Sequence, residues 1–384
     1  MRIAYVCTDP GVPVFGTKGA SVHVQAVVRE LVRRGAQVHL LCARTGGPVP
    51  VGLEDVDVRL LPAVGAGETA AREQGAQQSD AAVAGLLEGL PALDLVYERY
   101  ALWGRTATAW AARHDVRSVL EVNAPLVQEQ AAHRELVDRA AAEAVAVAAL
   151  SAADVVACVS DEVSAWARAA SRRPERVVTV PNGVDVDRVA PGAAHGTPTP
   201  TGTFTVGFVG TLKAWHGVEL LLEAVDRLHA QDASWRLLVV GDGPRGAALR
   251  AAAGPHVELT GALAPDAVPA QLHRMDVACA PYPDLPDLYF SPLKLYEYLA
   301  AGVPVVASAV GQVRGALDAG RLGVLVPAGD VDALVRALSD LRADEPRRAS
   351  LAALGRAAAV ERHTWRAVVD RVLDLALVTT GVAR

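Results

Sequence analysis

The stretch SPLKLYEYLAAGVPVVAS, residues 291–308, decides how this chain is read. Pro292 suits the first turn of a helix, where its missing N–H costs nothing. Gly302 suits a helix stop, and Val303–Val306 suit a buried parallel strand. The N-terminus of such a helix carries unpaired N–H groups and a positive dipole end, which attract phosphate. Lys294 adds a point charge there. Glu297, a little over one turn deeper, is placed to accept hydrogen bonds from sugar hydroxyls. Taken alone, the segment is equally an ordinary amphipathic helix with solvated Lys and Glu. The rest of the chain decides between the two.

Upstream, strands and helices alternate. Strands are expected at Arg2–Cys7, Gln37–Ala43, Val56–Leu61, Leu95–Glu98, Val116–Val122, Val155–Val159 and Val177–Val180. A helical stripe runs through Val24, Val27, Val28 and Leu31, and Gly35 stops it. Residues 190–203, APGAAHGTPTPTGT, read as a linker. The alternation then restarts at Phe204–Val209 and Trp235–Val240. It continues through Val257–Thr260, Asp276–Ala280, Val303–Ala307 and Leu322–Val326. Strands separated by helices imply parallel sheets covered on both faces. The expected class is α/β, with two Rossmann-like doubly wound domains facing across a cleft. Ligands of such sheets bind at the carboxyl ends of the strands.

Composition excludes several functions. The chain has 384 residues, 51% hydrophobic and 21% charged, which suits two folded domains. A net charge of −6 argues against a nucleic-acid partner. The four cysteines are scattered in apolar strand contexts, so buried thiols in a reducing compartment are expected. The N-terminus reads as a strand and not a signal peptide, and no run of 18 apolar residues lacks charge. These features point to a cytoplasmic protein with no integral membrane segment. Gly11, Gly16 and Gly19 lack G-x-G-x-x-G spacing, which weakens a dehydrogenase reading.

Several motifs together resemble the GT4-type retaining glycosyltransferases of the GT-B fold. The 291–308 segment resembles their donor motif, E-x7-E. Glu297 matches the second glutamate, which in the family holds the nucleotide ribose. The first, which contacts the transferred sugar, falls at Tyr289. PNGVD at 181–185 is similar to the family's hinge signature. Gly210–Gly217, GTLKAWHG, stands where the family has G-R-L-x-x-x-K-G. Thr211 replaces its Arg and His216 its Lys, so Lys213 is our choice for the pyrophosphate contact, with Lys294. Gly241 in GDGP matches the family's second strand–turn. The resemblance thus implies a donor site of Gly210, Thr211, Gly241, Tyr289, Phe290, Ser291, Pro292, Leu293 and Glu297.

The first half resembles the family's acceptor domain. Gly16, Gly19 and His23 belong to the glycine loop and helix after the first strand. Arg99 and Glu121 end strands, where ligand groups sit. Arg99 is also readable as a surface or interdomain pair. Glu121 and Glu129 are each readable as a proton acceptor or a structural carboxylate. Asn123 stands where many relatives have a histidine. An amide binds a hydroxyl but takes no proton at neutral pH, so Asn123 orients the acceptor.

The resemblance divides the chain into residues 1–190 for the acceptor, a linker at 191–203, residues 204–360 for the donor, and a terminal helix over 361–384 returning to the first domain. Trp365 is its expected anchor. The implied reaction moves a hexose-type sugar, with retention, from a nucleotide diphosphate sugar to a hydroxyl or other nucleophile of a glycan or small-molecule acceptor. Lys213, Lys294 and Asn123 are its expected catalytic groups. No cofactor and no metal are expected, although Asp284 and Asp287 form a D-x-x-D pair. Two alternatives share these features: a GT-B nucleotide-sugar 2-epimerase and a nonenzymatic sugar-nucleotide binding protein.

Overall fold

A computed structural model describes residues 1–192, 202–285, 289 and 291–378. Seven strands form the first sheet: β1 (Arg2–Cys7), β2 (Gln37–Cys42), β3 (Asp57–Leu60), β4 (Leu95–Arg99), β5 (Arg117–Val122), β6 (Val155–Cys158) and β7 (Val177–Thr179). Their order is β3-β2-β1-β4-β5-β6-β7, and all pairs are parallel. Six form the second: β8 (Phe204–Val209), β9 (Trp235–Val240), β10 (Val257–Gly261), β11 (Val277–Ala280), β12 (Val305–Ser308) and β13 (Val324–Val326). Their order is β10-β9-β8-β11-β12-β13, again all parallel. In each sheet the order reverses once, between β1 and β4 and between β8 and β11. The carboxyl ends of the strands at these reversals are where doubly wound sheets take ligands.

The helix Gly19–Arg33 buries Val24, Val27, Val28 and Leu31. Gly35 ends it with φ of 75°. This left-handed backbone is inexpensive only for glycine. The helix in the 291–308 segment runs Leu293–Ala300 and buries Leu295, Tyr296, Tyr298 and Leu299. Pro292 lies one position earlier than expected: it caps the helix with extended backbone. The following strand starts at Val305 and not Val303. Val303 N–H is used by Tyr298 O in the helix-ending turn, and Pro304 has no N–H to give a ladder.

Over the described residues, one compact unit comprises Met1–Asn182, Tyr289–Ser291 and Trp365–Arg384; the other comprises Gly183–Leu288 and Pro292–Thr364. The chain therefore leaves the first unit inside PNGVD, eight residues before the expected boundary at 190. The reason is local. Val184 N–H donates to His363 O, and Arg356 Nη1 binds Val186 O and Val189 O. These bonds tie 184–189 to the second unit. Residues 193–201 of the expected linker lie outside the described residues. The last described helix, Trp365–Val378, packs on Gly19–Arg33, β5 and β6. All four cysteines are buried free thiols.

Candidate functional site

Two groups of buried polar side chains stand at the strand ends, one in each unit. In the first unit Glu121, near the end of β5, is the centre. Its Oε1 accepts from Arg99 Nη1 at 2.8 Å and from Asn123 Nδ2 at 2.7 Å. Its Oε2 accepts from Tyr97 OH at 2.8 Å and faces His23 Nε2 at 2.9 Å. Arg99 and Tyr97 come from β4, alongside β5, with Arg99 in register with Glu121. His23 comes from the helix Gly19–Arg33, and the Trp365 ring lies 4.6 Å from it. Burial opposes ionisation of Glu121, but His23 and Arg99 outweigh it and hold the carboxyl far below the usual range.

Four partners on one ionised carboxylate make Glu121 a poor proton acceptor. Its open reading as a base is corrected here: it organises His23, Arg99 and Asn123. Arg99 is likewise no surface pair, because it is buried at 8% exposure against Glu121. Glu129 is also committed, accepting from Tyr289 OH at 2.7 Å. Gly16 keeps its loop tight. A Cβ there would lie 2.9 Å from Pro13 Cγ and 3.0 Å from Ser21 Oγ. Gly19 begins the helix that carries His23.

In the second unit the site lies at the ends of β8 and β9. Gly210 (φ 146°) and Gly241 (φ 134°) turn the chain there. A Cβ on Gly241 would meet Gly210 O at 2.0 Å, and one on Gly210 would meet Lys294 Nζ at 3.1 Å. Glycine at 210 thus lets the backbone approach the lysine. Lys294, in the first turn of the helix Leu293–Ala300, is buried at 8% exposure. Its ammonium lies 4.1 Å from the Phe208 ring centroid and has no hydrogen-bond partner. Burial lowers its pKa to about 7, with Glu297 opposing.

Lys213 rests its ammonium 4.4 Å from the Trp215 ring centroid. Both lysines bear on His216. Burial foremost, then Lys294 and, more weakly, Lys213 push its pKa down to about 3, against the Thr211 carbonyl. A neutral His216 carries no charge at physiological pH, so it supplies none of the cation of the family's lysine. Thr211 contributes its carbonyl, facing His216 Nδ1. Glu297 lies one-fifth exposed and pairs through Oε1 with Arg188 Nη2 at 3.1 Å.

The second unit therefore brings together Gly210, Thr211, Lys213, Gly241, Pro292, Leu293, Lys294 and Glu297. Tyr289 and Ser291 group with the first unit. Tyr289 is bound to Glu129, and Ser291 is held by Asn182, whose Nδ2 donates to Ser291 O at 3.0 Å. Phe290 and Asp287 lie outside the described residues. Among the described residues, no group of three or more His, Cys, Asp or Glu is placed to hold a metal ion, and no helix is long and apolar enough to cross a membrane. The sequence reading missed Tyr97, Phe208 and Arg188. Nothing in DVDRV marks Arg188, and the rings read only as core.

Comparison with known proteins agrees with this layout. Residues 17–188 match the description Glycosyltransferase Family 4, and residues 203–344 match Glycosyl transferases group 1. The chain is 27% identical over 396 residues to a D-inositol 3-phosphate glycosyltransferase of Corynebacterium diphtheriae, covering 92% of this chain and 88% of that one. It is 34% identical over 200 residues to a phosphatidyl-myo-inositol mannosyltransferase of Mycobacterium leprae. That match spans about half of each protein, 51% of this chain and 52% of the relative. HepE of Anabaena, solved with UDP-glucose, superposes with a TM-score of 0.71 at 18% identity, over 97% of this chain and 98% of that one. Two parallel-sheet units, a glycine turn beside a buried lysine and these matches lead to one assignment: the chain belongs to the group 1, family 4 glycosyltransferases of the GT-B fold, enzymes that transfer a sugar to an acceptor.

Proposed function

We propose that this glycosyltransferase takes a hexose from a nucleotide diphosphate sugar and passes it, with retention of configuration and without a metal ion, to a hydroxyl of a glycan or small-molecule acceptor in the cytoplasm. The observation that carries the donor reading is Lys294. A buried ammonium with no hydrogen-bond partner is costly. A diphosphate resting on the Gly210 turn and the N-terminus of Leu293–Ala300 would satisfy it. That HepE was solved with UDP-glucose makes UDP the first nucleotide to try.

In this reading Lys294, Lys213 and the first N–H groups of Leu293–Ala300 hold the charge that develops on the leaving diphosphate. Glu297 accepts the ribose hydroxyls. In the first unit, Glu121 holds Asn123 and His23 to orient the acceptor. With Glu121 and Glu129 committed, the acceptor's proton passes to a donor phosphate oxygen. Calorimetric titration with UDP, GDP, ADP and TDP, and with the monophosphates, tests the donor half. One diphosphate should bind, and Lys294→Met should weaken it much more than the monophosphate. Failure of all four to bind the folded protein overturns the proposal. The anomeric configuration of the product, read by NMR, tests retention.

A further inference from the structure

The hinge-like motif PNGVD continues into a short segment that reaches the donor helix. Its backbone is fastened at several points. Val184 N–H donates to His363 O at 2.7 Å. Asp185 Oδ1 accepts the Arg188 N–H at 3.0 Å. Arg356 Nη1 binds Val186 O, Val189 O and, on the donor helix itself, Ala300 O at 2.8 Å. Arg356 thus ties the segment to the C-terminal end of Leu293–Ala300. Arg188 projects from this fastened segment. Its Nη1 donates to Pro265 O at 2.7 Å, and its Nη2 to Glu297 Oε1 at 3.1 Å.

We infer that Arg188 is a positioning residue for nucleotide binding: it fixes one oxygen of Glu297 so that the other is presented to the ribose hydroxyls. The inference rests on the donor reading above and extends it to a residue outside the donor motif. Its contact is single and end-on, so it orients the carboxylate while leaving Oε2 available. The guanidinium is itself held by the Pro265 carbonyl, so it loses little freedom on making the contact. The electrostatics agree. Burial raises the pKa of Glu297, and Arg188 foremost, then Lys294, lower it. Those two are the charged groups that act on it. Without Arg188 the carboxyl would take up a proton at higher pH and lose its capacity to accept two hydroxyls.

The test is calorimetric titration of the full chain with UDP, or with whichever of the four diphosphates binds tightest, between pH 5 and 8. Glu297→Ala should lose most of the affinity. Arg188→Met should weaken binding about tenfold, and the fall in affinity at low pH should move to higher pH. Arg188→Lys should restore part of the affinity, which also covers failure of the Met variant to fold. In a Glu297→Gln background, Arg188→Met should add little, because the arginine acts through the carboxylate. If Glu297→Ala leaves affinity unchanged, the ribose role of Glu297 falls, and this inference with it. If Glu297→Ala weakens binding but Arg188→Met matches wild type, or adds its full effect in the Glu297→Gln background, only the positioning role is overturned.

Discussion

Asn123 Nδ2 donates to Glu121 Oε1 across 2.7 Å, so the nitrogen side of the amide is turned to a carboxylate and its carbonyl oxygen away from it. Glu121 cannot turn to suit another orientation, because Arg99, Tyr97 and His23 occupy its oxygens. The asparagine side chain is oriented by its neighbours.

Asn123→Asp would set a second carboxylate against Glu121. The like charge raises the pKa of the introduced group, which should stay protonated and give no rate gain as pH rises. Asn123→Ala should raise the acceptor KM or lower kcat without altering donor affinity. PH–rate profiles at saturating donor check both. A rate gain in the Asp variant as its carboxylate ionises would show that the position wants a base.

Lys294 has a pKa near 7 without ligand. A diphosphate beside it favours the charged form, so binding takes up a proton. Affinity should therefore be highest below pH 7 with respect to this group and decline as pH rises above it. Titrations in buffers of different ionisation enthalpy measure the uptake. Lys294→Met should abolish the uptake; an unchanged uptake in that variant would move the titration to another group.

Glu98 sits on β4 on the far side from the Glu121 cluster in sequence alternation, and its Oε2 accepts the Thr108 N–H at 3.0 Å. Burial, with help from Asp80, raises its pKa from 4.5 to about 8. The folded state then holds a proton that the unfolded chain releases. This contribution is fully present below pH 4.5 and is lost as pH rises to about 8. The shift corresponds to on the order of 5 kcal/mol. Glu98→Gln stays neutral and keeps an acceptor for Thr108. Its stability by urea unfolding should fall less than that of wild type between pH 6 and 9. Parallel profiles would mean that Glu98 is not the titrating group.

Turnover should survive EDTA. In the proposed donor site Lys213, Lys294 and a helix N-terminus would supply the positive charge for a diphosphate. Activity lost in chelator and restored by magnesium or manganese would contradict this.

The strands were legible in the sequence because runs such as IAYVC and VVACV are buried on both faces and need no partner to declare themselves. Gly35 and Gly302 marked helix ends because a positive φ is a local demand. Glu297 and Lys294 were legible from one motif. The domain crossing was read eight residues late, because Pro and Gly in 190–203 are conspicuous and the bonds fastening 184–189 are not. Tyr289 and Ser291 were read with the donor from the motif resemblance; that Glu129 and Asn182 bind them was not legible there.

Local pattern, then, determined the class of fold and the order of its elements, including the helix after Pro292, because helix period, strand burial and turn chemistry are properties of neighbouring residues. Which polar groups are committed and which are available was decided only in three dimensions. Glu121 looks like a candidate base until Arg99 and His23 close on it. Glu297 looks solitary until Arg188, 109 residues away, reaches its oxygen. Lys294 looks like a surface lysine until Phe208 and Gly210 enclose it. Hydrogen-bond partnership and burial depend on contacts between distant segments, and a linear pattern carries no record of those contacts.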